Sequence, residues 1–148
     1  MNKSVYLDMC AISRPYDDQS QLRVRLETDA VLLIIAAIQK GRYVLKTSPV
    51  HFAEAGAIED KRERSDIERF FALYGQKIVC DIKYARDRAE CFVSHGIGVA
   101  DAAHLAFAEA GCDVIISCDD NFVRKAKKIK IGCLMMTPVE FCEEERLK

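Results

Sequence analysis

The sequence lacks several features that would place it in common protein classes. Lys plus Arg number 22 and Asp plus Glu 23, so the formal net charge is −1 and binding to nucleic acid through overall positive charge is excluded. The longest apolar run, 30–38, is far shorter than the ~20 residues that span a membrane. No secretory signal is visible, because the apolar start of the chain is interrupted at Asp8. We therefore expect a cytoplasmic protein without a membrane partner.

The cysteine and glycine patterns exclude further classes. The 7 cysteines are odd in number and include no C-x-x-C pair, so they predict neither a disulfide framework nor a standard zinc site. We interpret them as mostly buried thiols in a reducing compartment. The segment 9–13 contains no glycine, which argues against a dinucleotide-binding first turn. A haloacid-dehalogenase phosphatase needs a second Asp where this chain has Cys10.

Short apolar segments alternate with helical patterns along all 148 residues. Strands are predicted at 4–7, 43–45, 78–80, 114–116 and 131–136. Helices are predicted at 22–39, 49–58, 65–75, 84–94, 99–110 and 120–128, with a loop at 9–21 and a short helix after Pro138. This alternation predicts an α/β fold, a three-layer α/β/α sandwich around a central, mainly parallel sheet. Without repeats or linkers, the chain is expected to form a single domain over 1–148.

Four carboxylates stand out against this predicted fold. Asp8 and Asp119 each follow a predicted strand, and the carboxyl ends of parallel strands lie at one edge of the sheet, where ligands bind. Asp101 stands at the start of a predicted helix, and Glu54 lies inside the apolar run 50–58. Carboxylates gathered in one cleft repel one another unless protons or a cation intervene. Oxygen ligands of this kind suit Mg²⁺ or Mn²⁺.

Each acid also has a simpler interpretation. Asp101, Asp119 and Asp120 are each typical helix N-caps, and taken singly the cap is the commoner role. Asp8 is typical of a turn, and Asp81 also follows an apolar run, so position alone does not select the functional set.

Two further side chains have alternative interpretations of the same kind. Glu54 is compatible with a solvent-facing position on its helix. We interpret His104 as a hydrogen-bonded, partly buried histidine rather than a metal ligand.

Four segments of the chain, taken in order, resemble the motifs of the PIN-domain nuclease family. They are the opening V-Y-L-D-M-C with Asp8, the helix 49–58 with Glu54, G-I-G-V-A-D-A-A-H-L-A with Asp101, and V-I-I-S-C-D-D-N-F with Asp119. Two positions depart from the family pattern: Met9 replaces a small hydroxyl residue, and Cys10 stands where Asn is common. No acid is lost.

The resemblance implies a PIN-like α/β/α sandwich and Mg²⁺- or Mn²⁺-dependent endonucleolytic cleavage of RNA. Small members of the family resemble VapC-type toxins, which implies an antitoxin partner and a homodimer. Catalysis and metal binding would then fall to Asp8, Glu54, Asp101 and Asp119, with Ser117 and Asp120 as accessory residues. RNA contacts would fall to Arg14, Arg124 and Lys125, whereas Lys127, Lys128 and Lys130 are equally compatible with a solvated face.

One alternative function stays open at this stage. The same fold could serve as a module that binds RNA or a protein with little or no cleavage, and the change at Met9 keeps this alternative in play. Divalent-metal binding that disappears in an acid-to-Asn variant separates the two functions.

Overall fold

A computed structural model describes residues 2–148 and contains a five-stranded sheet in which neighbouring strands run parallel. The strands are β1 (Ser4–Leu7), β2 (Val44–Thr47), β3 (Gly75–Lys77), β4 (Val114–Ile116) and β5 (Leu134–Met136). Their order across the sheet is β3-β2-β1-β4-β5. The predicted α/β/α sandwich with a parallel sheet is confirmed.

Helices connect the strands and cover the sheet. They are α1 (Met9–Ile12), α2 (Leu22–Gln39), α3 (Pro49–Gly56), α4 (Lys61–Tyr74), α5 (Ile82–Ser94), α6 (Val99–Gly111), α7 (Asp120–Lys127) and α8 (Pro138–Glu145), with a 3₁₀ turn at Arg14–Tyr16. Gly41 follows α2 with a φ of 79°, the left-handed conformation that ends a helix at low cost for glycine.

The two faces of the sheet carry separate apolar clusters, because side chains alternate along each strand. Leu7 and Leu45 pack on one face against Ile34 of α2 and Phe71 of α4. Ile115 packs on the opposite face, together with residues of α5, α6 and α7, among them Phe92, Leu105 and Phe122. The central strands are buried on both faces, which accounts for their unbroken apolar sequence.

Several elements differ from the sequence predictions, among them β5, which begins at Leu134 rather than at 131, and β2, which runs from Val44 to Thr47 rather than over 43–45. Three further differences concern the third strand, helix α4 and the predicted loop 9–21. The third strand is Gly75–Lys77 rather than 78–80, because Gly75 pairs with Leu45 while Ile78 packs against the opposite cluster near Gly111. Helix α4 begins at Lys61, capped by Asp60, rather than at 65. The predicted loop 9–21 contains α1, which Asp8 caps.

Helix α2 resolves an ambiguity in the sequence. Its apolar segment fits either a core helix or a dimer interface, and Val31, Ile34 and Ile38 are buried inside this one chain. The segment is therefore core, although Leu32 remains 49% exposed. Among residues 2–148, no helix is both long enough and apolar enough to cross a membrane.

The strand order creates one topological switch point. The chain runs outward from β1 through β2 to β3, and then returns to place β4 on the other side of β1. Connections therefore leave β1 and β4 in opposite directions, which opens a crevice at their carboxyl ends. Asp8 directly follows β1, and Ser117 to Asp119 directly follow β4, so the sequence carries its polar residues to this crevice.

Truncation of Ile34 tests the assignment of α2 to the core. Ile34 is 0% exposed, so Ile34→Ala is expected to lower the free energy of unfolding by about 2–5 kcal/mol. The matched change Leu32→Ala, on the exposed side of the same helix, is expected to cost under about 1 kcal/mol. Urea denaturation measures both, and equal losses would contradict the described packing.

Candidate functional site

Asp8 is the most deeply placed of the four predicted acids. Its side chain caps α1 by accepting a hydrogen bond from the backbone N–H of Ala11 at 3.1 Å. The residue is only 2% exposed, and burial raises the pKa of Asp8 well above its usual value. Hydrogen bonding to Ser117 opposes that rise in the pKa. Asp8 is thus a constrained carboxyl at the switch point rather than a solvated turn residue.

Cys10 and Ser117 surround this carboxyl. The Cys10 thiol donates to Asp8 Oδ1 at 2.8 Å and lies 3.4 Å from Ser117 Oγ. Ser117 is 0% exposed, and its Oγ also accepts the backbone N–H of Asp119 at 3.0 Å. Cys10 was predicted to be one of the buried packing thiols, and it is instead a hydrogen-bond donor to the site. A thiol two positions after an acid carries no distinctive sequence pattern that would predict this role.

Asp119 and Asp120 have different roles in the structure. Asp119 is the N-cap of α7, and its Oδ1 accepts the backbone N–H groups of Asn121 and Phe122 at 3.0 and 3.2 Å. Its Oδ2 accepts no hydrogen bond from residues 2–148. Asp120 is the first residue of α7 rather than its cap, and its carboxylate pairs with Arg23 at 2.5 Å.

Asp101 lies in the first turn of α6, whose N-cap is Gly98. The interpretation of Asp101 as a cap is therefore wrong. Burial raises the pKa of Asp101, and the nearby carboxylates of Asp119 and Glu54 raise it further, while His104 and Lys125 lower it. Within the described chain, no donor binds its carboxylate. These influences on its pKa place Asp101 beside two of the other predicted acids, with its oxygens free.

Glu54 has the partner that its apolar surroundings require. Its Oε1 is hydrogen-bonded to His104 Nε2, which joins α3 to α6 across the crevice. The His104 side chain is 3% exposed and that of Glu54 is 36% exposed, so the carboxylate reaches the surface while its partner is buried. His104 is therefore the buried, hydrogen-bonded histidine expected from its sequence context.

A buried hydrogen-bond chain extends from His104 into the protein. The Tyr6 hydroxyl lies 2.5 Å from His104 Nδ1 and 2.7 Å from Ser48 Oγ. Beside it, His51 Nδ1 accepts the backbone N–H of Ser48 at 3.1 Å, which leaves Nε2 to donate to the Leu7 carbonyl at 2.6 Å. We call the set Glu54, His104, Tyr6 and Ser48 the buried relay. Tyr6, Ser48 and His51 were not predicted as site residues from the sequence.

The predicted RNA-contacting residues are all engaged within the protein. Arg14 pairs with Asp17 at 2.9 Å and with the buried Glu27 at 3.4 Å. Arg124 is hydrogen-bonded to Asn121, and Lys125 donates to the Gly96 carbonyl at 2.7 Å.

Of these three, Lys125 is the one whose charge reaches the acids, since it lowers the pKa of Asp101. The roles of Arg14, Arg124 and Lys125 in RNA binding stay predictions.

The donor set suits a hard cation held in an open site. Asp119 and Glu54 each use one oxygen for a protein hydrogen bond, which orients the carboxylate and leaves the second oxygen free. Among residues 2–148, no three His, Cys, Asp or Glu side chains lie close enough together to enclose an ion. Mg²⁺ commonly binds through one or two carboxylates and several waters, so these residues fit such an ion without forming a closed cage.

Comparisons with known proteins show that this chain has a fold similar to that of several solved structures. No protein-family profile matches the chain, and no curated protein matches it. The structure of FitAcB from Neisseria gonorrhoeae matches with a TM-score of 0.55 and 18% identity, covering 91% of this chain and 98% of that one. The structure of VapBC2 from Rickettsia felis bound to a promoter DNA fragment matches with a TM-score of 0.58 and 11% identity, covering 90% of this chain and 98% of that one. The structure of FitAB bound to an IR36 DNA fragment matches with a TM-score of 0.52 and 18% identity, covering 90% of this chain and 94% of that one.

These comparisons correct the family assignment made from the sequence. The sequence motifs resemble those of the PIN-domain nuclease family, and no family profile supports that assignment. The similar structures are 11–18% identical, and likeness at that level establishes a common fold alone. The assignment is therefore withdrawn, and the roles of the acids are argued from their own geometry.

Removal of the Tyr6 hydroxyl tests the buried relay. Tyr6→Phe leaves His104 and Ser48 without their shared partner, and we expect a loss of about 1–3 kcal/mol in the free energy of unfolding. Tyr16→Phe is the matched control, because that hydroxyl bonds to Asp66 at the surface and its loss is expected to cost under about 0.5 kcal/mol. Urea denaturation compares the two, and a neutral Tyr6→Phe would argue against the relay.

His51 gives the protein a defined pH dependence. Burial, together with a smaller effect of His104, lowers the pKa of His51 to about 3. Below its ordinary value of 6.5 the unfolded chain gains a proton that the folded chain does not, so stability is complete above that pH and falls as the pH falls toward 3. This histidine is expected to cost roughly 2 kcal/mol at pH 5 relative to pH 8.

The measurement compares urea denaturation between pH 8 and pH 5 in the wild type and in His51→Gln. The variant is expected to lose this part of the pH dependence, whatever its stability at pH 8. His95→Gln, which changes an exposed histidine, is expected to keep the wild-type slope. An unchanged slope in His51→Gln would contradict a neutral buried His51.

Proposed function

We propose that this protein is a metal-dependent endoribonuclease that hydrolyses phosphodiester bonds at the crevice beyond β1 and β4. The observation that carries the proposal is the placement of the four acids: Asp8 and Asp119 follow the adjacent parallel strands β1 and β4, and His104, one helical turn after Asp101 on α6, is hydrogen-bonded to Glu54. Burial and the neighbouring carboxylates of Asp119 and Glu54 also raise the pKa of Asp101. Three carboxylates on α3, α6 and α7 therefore share one field, and Asp8 is held at the same switch point. Repulsion of this kind is relieved by a divalent cation.

Asp8, Glu54, Asp101 and Asp119 are the residues that would hold Mg²⁺ or Mn²⁺, one or two of them directly and the others through bound water. When bound, such an ion supplies a Lewis acid that activates water and neutralises charge on the scissile phosphate. The Cys10 thiol fixes the Asp8 carboxyl by a hydrogen bond and itself lies against Ser117, and the backbone of α7 fixes Asp119.

The buried relay fixes the fourth carboxylate. His104 holds Glu54 toward the crevice, because the imidazole is itself anchored by Tyr6. These contacts hold the carboxylates in place before substrate arrives, which lowers the reorganisation that catalysis requires.

The similar structures support a role within a toxin–antitoxin system. FitAcB, VapBC2 and FitAB are two-component assemblies of this type. We infer that this chain is the toxin component, because the acidic crevice gives it a chemistry that can degrade a cellular polymer. An antitoxin protein and a second copy of this chain are the corresponding proposed partners, and RNA is the proposed substrate.

A second candidate is a binding module without nuclease activity. The observation in its favour is that no three metal-binding side chains among residues 2–148 converge on one point. The two candidates differ in their response to metal: a nuclease requires an ion for turnover, whereas a binding module retains RNA or its protein partner in EDTA and releases no product.

Asp101→Asn tests the proposed function. Because this change removes a free carboxylate from the shared site, we expect cleavage of a labelled structured RNA in Mn²⁺ to fall by at least about 100-fold, more than the loss of a group that only orients a ligand. Burial, and next the nearby carboxylates of Asp119 and Glu54, raise the pKa of Asp101, so the charged form is costly there and the variant is expected to keep or increase the melting temperature without metal. Gel analysis of cleavage and thermal unfolding measure the two effects.

Glu144→Gln is the matched control. Glu144 is exposed near the end of α8, next to Glu145, which pairs with Lys3 at the opposite edge of the sheet. This variant is expected to cleave as the wild type does. Cleavage that survives EDTA or Asp101→Asn would refute the proposed site, and absence of cleavage with intact RNA binding would favour the binding module.

A further inference from the structure

A second cavity lies beside the acidic crevice, at the carboxyl ends of β2 and β3. It has a volume of about 350 Å³, within the range of small-molecule pockets. Its lining residues are Thr47, Ser48, Pro49, Phe52, Lys77 and Ile78. None of them is acidic, so the cavity differs in charge from the crevice next to it. Since β2 is the direct neighbour of β1, the two sites share one edge of the sheet.

Thr47, one of the residues that line this cavity, carries a polar atom without a partner. Thr47 is 1% exposed, and its Oγ1 is buried with no hydrogen-bond partner in the described part of the chain. Nearly all buried hydroxyls in proteins are hydrogen-bonded, because an unpaired one loses its contact with water and gains nothing. An unpaired hydroxyl in the wall of an open cavity therefore indicates a polar group that arrives from outside.

The rim of the cavity offers an aromatic face and a cation. Phe52 is 41% exposed, yet its ring is held from behind by an edge-to-face contact with the buried Phe71, with centroids 5.7 Å apart. Lys77 Nζ lies over the Phe52 ring, 5.6 Å from its centroid, where a ligand phosphate can draw it aside because it forms no ion pair with any described residue. An exposed, fixed aromatic ring stacks on bases, and a neighbouring free ammonium pairs with phosphate.

We propose that this cavity binds one nucleotide, with its base against Phe52, a base-edge group hydrogen-bonded to Thr47 Oγ1 and its phosphate near Lys77. The source of that nucleotide in an RNA strand entering the acidic crevice rests on the proposed ribonuclease function. The nucleotide site itself does not, because a free nucleotide has the same chemistry.

The experiment measures binding in EDTA, so that its outcome is independent of cleavage. The probes are a fluorescein-labelled single-stranded RNA octamer, followed by anisotropy, and the four nucleoside 5′-monophosphates as competitors. Phe52→Leu keeps an apolar side chain without the aromatic ring, and Lys77→Gln removes only the charge. Each is expected to weaken binding at least five-fold. The controls Tyr74→Leu and Lys83→Gln change an exposed aromatic ring and an exposed cation outside the cavity and are expected to bind as the wild type does.

Thr47→Val gives a test that combines stability with binding. Valine has the shape of threonine and replaces the unpaired hydroxyl by a methyl group, so the melting temperature is expected to rise while nucleotide binding weakens. A fall in the melting temperature would show that the hydroxyl already has a partner in the protein and would overturn its role. A structural residue without a ligand would not combine greater stability with weaker binding.

The remaining outcomes are decisive in either direction. Monophosphates that compete as strongly as RNA, with loss in Phe52→Leu and Lys77→Gln, support the site and identify a free nucleotide as its ligand. Tighter binding of the octamer with the same losses supports an RNA strand. No binding of any probe, or binding that both variants retain, overturns the proposal. Binding that depends on the cavity in a protein that cleaves nothing would refute the ribonuclease function and leave the nucleotide site standing.

Discussion

The hydrogen bonds of the buried relay are the interaction on which the acidic crevice depends. Tyr6 lies in the central strand, and through His104 and Ser48 it ties α6 and the start of α3 to the middle of the sheet. Glu54 is the last member and the only one that reaches the surface. The position of the Glu54 carboxylate is therefore set by hydrogen bonds that begin in the core. We expect a substitution at any residue of the relay to change the position of this carboxylate.

A second constraint is the cost of gathering like charges. Asp8, Asp101 and Asp119 all stand at the N-terminal ends of helices, where backbone N–H groups and the helix dipole favour negative charge. This compensation is incomplete for Asp8 and Asp101, whose pKa values remain raised by burial and by neighbouring groups. The fold thus holds carboxyls in a state that a cation or a proton would relax, which is a condition for function rather than for stability.

Local patterns were enough to predict the sheet, most of the helices and the position of Asp8 and Asp119 after β1 and β4. They were insufficient for the relay, because Tyr6 meets its partners 42 and 98 positions along the chain and no periodicity encodes such a contact. The predicted position of β3 was wrong for a related reason. Ile78 was assigned to a strand because it is apolar, whereas in the structure it follows the strand and packs near Gly111. The family assignment from the sequence was also wrong, because acids in a given order along an α/β chain are compatible with the fold without identifying one family.

Under the proposed function, the formal net charge of −1 means that the protein as a whole does not attract a polyanionic substrate to the acidic crevice. A polyanionic strand gains little from long-range attraction to such a protein, so its affinity has to come from short-range contacts. Lys77 is the last residue of β3, and Lys125 lies on α7, the helix between β4 and β5 on the other side of β1. Under the proposed function these two lysines would hold the strand at its two flanks, and Phe52 would add stacking that salt does not screen, so that a phosphate reaches the acids despite their repulsion. Ser48 belongs to both the nucleotide cavity and the relay, so occupancy of the cavity and the position of Glu54 are joined through one hydroxyl.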